Sequence, residues 1–367
     1  MAKLATPVLR PHPEQTYADE LRVLAKTDKG RRPANWKLSP AAVVDYLVGT
    51  TLADGTTITA KYIGERRLME VAVATLTTNR ALLLAGVPGT AKTWVSEHLA
   101  AAISGDSTLL VQGTAGLSED ALRYGWNYAH LISKGPSAEA LVPSPVMEAM
   151  RRGSLVRVEE LTRVPTEVQD SLITVLSEKT LPIPELSTEV QATPGFNLIA
   201  TANERDRGVN ELSTALRRRF NTVVLPAPAS LDEELRIVRE RSDLRAQPEL
   251  FEQADAVGEV QRLLTIFREL RTGATLDGST KVQQPGAGLS TAEAISVVEN
   301  AISLATHFGS GVPQVRDFLP SLRAAVIRDE ERDGAAWRSY VESVVKERRT
   351  EWPGWYEALT EFEQESS

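Results

Sequence analysis

The chain has 367 residues, of which 42% are hydrophobic and 25% are charged, and its formal net charge is −8. It contains no cysteine, which excludes disulfides, thiolate metal sites and cysteine nucleophiles. The net negative charge argues against a protein coated in nucleic acid. The sequence contains no run of 18 or more apolar residues, so it predicts no membrane-spanning helix. The N-terminus has no apolar core of signal-peptide length, so we expect a cytoplasmic protein with no membrane partner.

The first 60 residues predict a small N-terminal extension. Proline and polar residues are frequent in residues 1–16, which favours a flexible tail. Ser39 followed by Pro40 is typical of a helix cap and first helical position. Asp54-Gly55 lies between β-branched runs and predicts a tight hairpin.

From residue 81 onward, five short apolar stretches alternate with helical ones. The strand candidates are residues 81–85, 108–112, 154–158, 196–202 and 222–225. Strands that alternate with helices predict a parallel sheet covered on both faces. The sequence therefore predicts an α/β domain over residues 61–227.

The strand pattern stops at Ser230, and amphipathic helices follow it. They predict a small helical domain over residues 228–328, with the glycine- and glutamine-rich residues 277–288 as a loop between two helices. The charged residues 329–367 predict a helical C-terminal extension, in which Trp352 and Trp355 act as anchors.

The stretch GVPGTAKT, residues 86–93, matches the phosphate-loop pattern G-x-x-x-x-G-K-[ST] except at Ala91, where a glycine is expected. In such loops glycines let backbone amides turn toward an anion, and the helix that follows adds its dipole. Ala91 lies where the chain enters the helix, so we expect a helical φ, which alanine accepts. The alternative is a Gly-Pro turn with Lys92 solvated. The residues predicted to bind the nucleotide here are Gly86, Val87, Pro88, Gly89, Thr90, Ala91, Lys92, Thr93 and Trp94.

Two carboxylates, Glu159 and Glu160, end the strand candidate in LVRVEELTR. A P-loop ATPase needs an acid at the end of a neighbouring strand to hold the Mg²⁺ shell, and a second carboxylate can orient or deprotonate water. This assigns Glu159, together with the Thr93 hydroxyl, to the metal and Glu160 to catalysis. Glu159 is one methylene longer than the usual aspartate, which suggests that it holds Mg²⁺ through water. The alternative is that the two acids cap the following turn. Arg157, inside the strand, has no predicted role.

Polar residues at the ends of later elements complete the candidate site. Asn203 ends the stretch FNLIATAN, where it would position water beside the γ-phosphate, although asparagine commonly ends a strand. The basic run 217–219 precedes the last strand and is either a solvated face or, in a ring ATPase, a source of cations for the neighbouring subunit. Arg316 begins a helix of the second domain, from which it would reach the phosphates, or is a surface arginine.

Five stretches together resemble the AAA+ ATPases of the MoxR family over about residues 61–328: GVPGTAKT, EELTRVPTEVQDSLITVLSEKT, FNLIATAN, ALRRRF and GVPQVRDF. The resemblance implies an AAA+ parallel-sheet core with a helical lid, and ATP with Mg²⁺ as ligands. Its implied assignments are Lys92 and Thr93 as Walker A, Glu159 and Glu160 as Walker B, Asn203 as sensor 1, Arg219 as arginine finger, Arg316 as sensor 2, and Ile63-Gly64 beside the adenine. ALRRRF is also similar to McrB-like motors, which gives Arg218 a share in the finger's task. Ala91, Glu159 and Thr162 depart from the family pattern and bear on Mg²⁺ geometry and turnover.

Two further stretches correspond to insertions of that family. Residues 116–146 occupy the place of its helix-2 insert, and residues 180–196 predict a hairpin with a turn around Glu185–Ser187. In relatives such elements line the pore of the ring, so we expect contact with a client; the alternative for both is a surface excursion.

The resemblance implies a homo-hexameric ATPase that remodels or activates a partner protein, one that carries a von Willebrand factor A domain. One alternative is a McrB-like or helicase-like motor that serves a partner acting on nucleic acid. Another is a nucleotide switch that hydrolyses ATP very slowly. The net negative charge and the lack of an aromatic-basic stripe make nucleic acid the less favoured partner.

Overall fold

The computed structural model describes residues 8–203, 210–242, 254–286 and 288–365. The chain divides into two compact units, Met1–Val87 with Ala91–Pro226 and Pro88–Thr90 with Ala227–Ser367. No described helix combines the length and the apolar composition that crossing a bilayer requires.

The first unit contains ten described helices and eleven described strands. The helices are α1 (Pro13–Thr16), α2 (Ala18–Thr27), α3 (Pro40–Val48), α4 (Arg66–Leu76), α5 (Lys92–Ser104), α6 (Tyr128–Lys134), α7 (Pro145–Arg152), α8 (Thr166–Asp170), α9 (Leu172–Ser177) and α10 (Thr214–Arg217). The strands are β1 (Thr50–Thr51), β2 (Thr57–Ile58), β3 (Ala81–Gly86), β4 (Leu110–Gln112), β5 (Tyr124–Trp126), β6 (Leu141–Pro143), β7 (Leu155–Glu159), β8 (Thr180–Ile183), β9 (Thr188–Gln191), β10 (Asn197–Asn203) and β11 (Phe220–Val224).

The five predicted strands form one parallel sheet in the order β11-β3-β10-β7-β4. The predicted α/β fold is therefore confirmed. In register, Asn203 lies beside Gly86, and Gln112 lies beside Glu159. Because the carboxyl ends of parallel strands meet at one edge, this edge gathers the phosphate loop and the polar strand ends predicted for the site.

Successive residues of the central strands alternate between two apolar cores. Leu82, Leu84 and Ile199 belong to a core with residues of α3, α4 and α5. Leu83 and Val158 belong to a second core on the other face, with residues of α7 and α9. The sheet is thus covered on both faces, as the alternation of strands and helices predicted.

The N-terminal tail expected to be flexible is docked where the structure describes it. Arg10 forms a 2.7 Å ion pair with Glu97 of α5. Glu14 accepts hydrogen bonds from the backbone nitrogen and the hydroxyl of Ser107, at 3.2 and 2.8 Å. The prediction is therefore wrong for residues 10–16, because partners about 90 positions away hold them; residues 1–7 lie outside the described ranges.

Local signals in the remainder of the extension are confirmed. The Ser39 hydroxyl accepts from the Ala42 nitrogen at 3.4 Å and caps α3, with Pro40 at its first position. Strands β1 and β2 pair antiparallel around Asp54-Gly55, where the Asp54 carboxylate accepts from the Thr56 nitrogen at 2.9 Å. This extension shares its apolar core with the α/β sheet.

The two insertions form two hairpins. In residues 116–146, β5 pairs antiparallel with β6, and α6 lies between them. In residues 180–196, β8 pairs with β9 around a 3₁₀ turn at Pro184–Leu186, which confirms the predicted hairpin. The Tyr124 hydroxyl donates to Glu185 at 2.8 Å and Arg123 donates to the Pro182 carbonyl at 2.9 Å, so the hairpins are bonded to each other.

The second unit is helical in its described part. Its helices are α11 (Leu231–Arg241), α12 (Ala254–Thr272), α13 (Thr291–Phe308), α14 (Val315–Val326), α15 (Glu330–Tyr340) and α16 (Trp355–Glu365), with a π-helical turn at Val341–Val345. One core contains Phe267 and Phe318 as well as Trp352 and Trp355, so residues beyond 329 share it with the helices before them. Both predicted tryptophan anchors are buried.

Candidate nucleotide site

The phosphate loop connects β3 to α5 and has an unusual backbone. Gly86 and Gly89 have φ values of 146° and 79°, which favour glycine. The Lys92 side chain is buried, and its Nζ donates to the carbonyls of Gly86 and Val87 at 3.0 and 2.8 Å. Lys92 therefore lies folded against the loop and is not the solvated lysine of the simple-turn alternative.

Ala91 has φ 62° and ψ 22°, a left-handed conformation, at the residue that caps α5. The helical φ expected from the sequence is wrong. For a residue with a Cβ this conformation costs about 1–2 kcal/mol, because the Cβ crowds the following carbonyl oxygen. The turn from loop into helix imposes it at the position where the phosphate-loop pattern has glycine.

Glu159 lies at the end of β7 and is 2% exposed. One carboxylate oxygen, Oε2, accepts from the Thr93 hydroxyl at 2.9 Å and from the Thr201 hydroxyl at 2.7 Å. The other, Oε1, lies 2.5 Å from the Ser96 hydroxyl. The structure thus brings together the two residues predicted to hold the metal, and it adds Ser96 and Thr201 to them.

The donor set fits Mg²⁺. This ion usually takes one or two protein oxygens, while phosphates and waters supply the other ligands. The Thr93 hydroxyl and the Glu159 carboxylate are oxygens of that kind, at the start of the helix that follows the phosphate loop. Within the described ranges no group of three or more His, Cys, Asp or Glu residues could hold a metal by itself. A Mg²⁺ ion held by Thr93 and Glu159 would need phosphate and water oxygens as its other ligands.

The Glu160 side chain lies in a different environment from that of Glu159. Its backbone is left-handed, with φ 53°, and its nitrogen donates to the Thr201 hydroxyl at 2.9 Å. The Glu160 side chain is 35% exposed and forms a 2.7 Å ion pair with Arg163. The two acids thus have separate environments, one buried and bonded on both oxygens, the other accessible to water.

Asn203 lies beside the phosphate loop, and the segment that precedes Ile63-Gly64 is hydrogen-bonded to α5. Asn203 follows Thr201 by two residues on β10, so both occupy the same face of the strand, and Asn203 is beside Gly86 in register. Trp94 donates its ring N–H to the Lys61 carbonyl at 2.9 Å, which ties the start of α5 to the segment that leads into Ile63-Gly64.

The candidate arginines occupy three different settings. Arg219 donates from Nε to the Ser177 hydroxyl at 2.5 Å, and its guanidinium also donates to the Ala215 carbonyl. Arg218 is exposed, and its carbonyl accepts from the Arg80 guanidinium. Arg316 is exposed in the first turn of α14, in the second unit. The roles of all three remain predictions.

Sequence reasoning missed Ser96 and Thr201, which both contact Glu159. Spacing held a usable signal for each. Ser96 is three residues after Thr93 on the same helix and so lies on the same face. Thr201 precedes Asn203 by two residues on one strand, which also places the two on a common face.

Comparison with known proteins finds two family matches. Residues 81–220 match the AAA domain (dynein-related subfamily), and residues 232–365 match the YehL-like AAA+ ATPase C-terminal domain. The chain is 40% identical over 355 residues to YehL of Escherichia coli strain K12, covering 95% of this chain and 96% of that protein. It is 28% identical over 197 residues to a protein of Staphylococcus haemolyticus, covering 53% of this chain and 69% of the relative.

Among solved structures, NtrX from Brucella abortus in complex with ADP aligns with a TM-score of 0.46 and 14% identity. The alignment covers 77% of this chain and 58% of the NtrX chain.

Proposed function

Because the chain belongs to the YehL-like family of AAA+ ATPases, we propose that it binds ATP with Mg²⁺ and hydrolyses it at the sheet edge where β3, β7 and β10 end. The observation that carries this proposal is the 2.9 Å hydrogen bond between the Thr93 hydroxyl and Glu159. It joins the last residue of the phosphate-loop motif to the acid at the end of β7, which β10 separates from β3 in the sheet, and so gives the pairing that a P-loop ATPase requires.

Each residue has a distinct task in this proposal. The loop amides and the Lys92 ammonium bind the phosphates, while Thr93 and Glu159 hold Mg²⁺. When bound, Mg²⁺ neutralises charge on the phosphate oxygens. Glu160 is the base that takes a proton from the attacking water, since its side chain is accessible to solvent, and Asn203 orients that water.

We also propose the finer assignment that the resemblance implies, a MoxR-type homo-hexamer that remodels a partner protein carrying a von Willebrand factor A domain. The hairpins of the two insertions support this, because hydrogen bonds from Tyr124 to Glu185 and from Arg123 to Pro182 join the two elements that the resemblance assigns to the pore. Of the aromatic residues in residues 116–146, Tyr124 is buried, whereas Tyr128 is 69% exposed; Ile132, one turn further along α6, is 86% exposed. Tyr128 and Ile132 are exposed side chains of α6 that we propose contact a client.

Replacing Lys92 with alanine tests nucleotide binding directly. The variant should lose most ATP affinity, because the phosphate charge loses its buried cation. Isothermal calorimetry measures this, with Lys26→Ala as a control that removes an exposed lysine of α2. Parental affinity in Lys92→Ala would exclude the phosphate loop as the binding site.

A slow nucleotide switch is the second candidate, favoured by the Glu160–Arg163 ion pair, which engages the proposed base. Tight ATP binding with almost no turnover would select it. A motor that serves a nucleic-acid partner would instead show ATP turnover stimulated by DNA.

A further inference from the structure

Arg157 lies in the middle of β7 and is 3% exposed, in a parallel sheet whose strands normally carry apolar residues. Its Nε and Nη2 donate to Glu159 Oε1 at 3.3 and 3.0 Å. Nε also donates to the Ser96 hydroxyl at 3.1 Å, and Nη1 donates to the Ser107 carbonyl at 3.0 Å. All three guanidinium nitrogens therefore have partners, which fix the side chain in one orientation.

These contacts divide the two oxygens of Glu159 between different groups. Oε1 faces Arg157 and Ser96, whereas Oε2 faces the hydroxyls of Thr93 and Thr201. Oε1 is thus bound to a cation, whereas Oε2 accepts from two uncharged hydroxyls. Rotation of the carboxylate would break bonds on both sides.

Charge explains why a cation is needed here. A carboxylate removed from water is costly unless a cation and hydrogen bonds compensate it. Glu159 is 2% exposed, and Arg157 is the cation within bonding distance of it among the described residues. Arg157 therefore supplies the opposite charge that a buried carboxylate at this position requires.

We propose that Arg157 is a positioning residue for the proposed magnesium site: by binding Oε1 it holds Glu159 in the orientation that directs Oε2 toward the Thr93 hydroxyl. This inference rests on the proposed function, since it concerns how Glu159 and Thr93 receive Mg²⁺. Among the described residues, Arg157 donates hydrogen bonds to Glu159, Ser96 and Ser107, so it acts on the site through Glu159 and Ser96.

Arg157→Lys is the informative variant, because it retains the charge and removes the forked geometry. Binding of a fluorescent ATP analogue is titrated in EDTA and at increasing Mg²⁺. Changes in groups that orient a metal ligand typically cost 10–100-fold in metal affinity, so we expect the half-saturating Mg²⁺ concentration to rise by about that factor. Affinity in EDTA should stay parental, because the loop and Lys92 are unchanged.

Arg348→Lys is the matched control. Arg348 also forks onto a buried carboxylate, that of Glu269, at 3.0 and 2.8 Å, but in the second unit. The Arg348→Lys substitution should lower the melting temperature without changing the half-saturating Mg²⁺ concentration. The same melting measurement on Arg157→Lys separates loss of stability from loss of Mg²⁺ binding.

A purely structural Arg157 would give a lower melting temperature with parental Mg²⁺ dependence, or an affinity loss equal in EDTA and in Mg²⁺; either result overturns the inference. If Arg157→Lys does not fold, Ser96→Ala replaces it, since it removes an uncharged group from Oε1. A rise in half-saturating Mg²⁺ supports the proposal there, and parental values overturn it. If the parental protein itself shows no Mg²⁺-dependent ATP binding, the proposed function fails and this inference fails with it.

Discussion

Among single residues, Ala91 gives the most direct energetic test of the phosphate loop. Its left-handed backbone costs about 1–2 kcal/mol, a cost that glycine avoids because it has no Cβ. Since this conformation belongs to the folded loop, the cost falls on folding. We therefore expect Ala91→Gly to raise the free energy of unfolding by about 1 kcal/mol, measured by denaturant titration, and to change ATP affinity by less than about tenfold.

The control for this change is Ala74→Gly. Ala74 is an exposed residue inside α4, where glycine costs about 1 kcal/mol. The two substitutions should thus shift stability in opposite directions. A loss at both positions would show that the left-handed alanine stores no strain.

The sequence could predict the residues of the site whose types and spacing belong to a known pattern. Thr93 and Glu159 are such residues, and the structure places them in contact. The role of Arg157 does not follow from the sequence, because it depends on the packing that brings β7 next to Ser96 of α5. The conformation of Ala91 was misjudged for a related reason: a loop's dihedral angles follow from the elements at both of its ends.

Among elements, the hairpins of the two insertions are joined in part by a buried hydroxyl, that of Tyr124. Burial and the hydrogen bond to Glu185 raise the pKa of Tyr124 to about 12. Because the pKa of Tyr124 is higher in the folded protein than its unfolded value of 10.0, the protonated hydroxyl stabilises the fold. The contribution of this hydroxyl to the free energy of unfolding is complete below pH 10 and is lost as the pH rises toward 12. We expect the free energy of unfolding to fall between pH 10 and pH 12.

Tyr124→Phe isolates this effect. The variant should lose about 1 kcal/mol at neutral pH, the usual worth of one hydrogen bond, and its stability should decline less steeply above pH 10 than that of the parent. Tyr128→Phe, which changes an exposed tyrosine of the same insertion, is the control. Equal slopes in parent and Tyr124→Phe would mean that this hydroxyl does not link titration to folding.

Elements were predictable to the extent that their signals are local. The turn near Glu185, the Ser39 cap and the five strands all follow from residues within a few positions of each other. The docking of residues 10–16 does not, because it rests on partners such as Ser107, which no local pattern connects to Glu14. Proline and polar content therefore suggested flexibility where distant hydrogen bonds give order.

At the scale of the whole molecule, the ring hypothesis assigns Arg219 to a neighbouring subunit's site. Arginine fingers are worth about 10³–10⁵ in turnover in GTPases, so Arg219→Ala should be nearly inactive. Glu160→Gln should be inactive as well. In mixed rings an Arg219→Ala subunit keeps its own base and can use the finger of a Glu160→Gln neighbour, so ATP hydrolysis should partly return once subunits exchange.

The mixing experiment requires evidence of exchange, such as energy transfer between differently labelled subunits. Subunit exchange without recovered hydrolysis would mean that Arg219 acts within its own subunit, where it bonds Ser177 and Ala215, or that it is a surface charge with no part in catalysis. Arg217→Ala mixed with Glu160→Gln is the control, since Arg217 is an exposed arginine of the same run.

If Glu160 is the base for ATP hydrolysis, Glu160→Gln should still bind ATP but turn it over slowly, so ATP turnover and ATP affinity are measured on the same preparation of this variant. The amide cannot take a proton, so turnover should fall by about 10²–10⁴-fold while affinity stays parental. Glu167→Gln, at an exposed position of α8, should match the parent in both. Turnover at the parental rate in Glu160→Gln would contradict the account and remove Glu160 from catalysis.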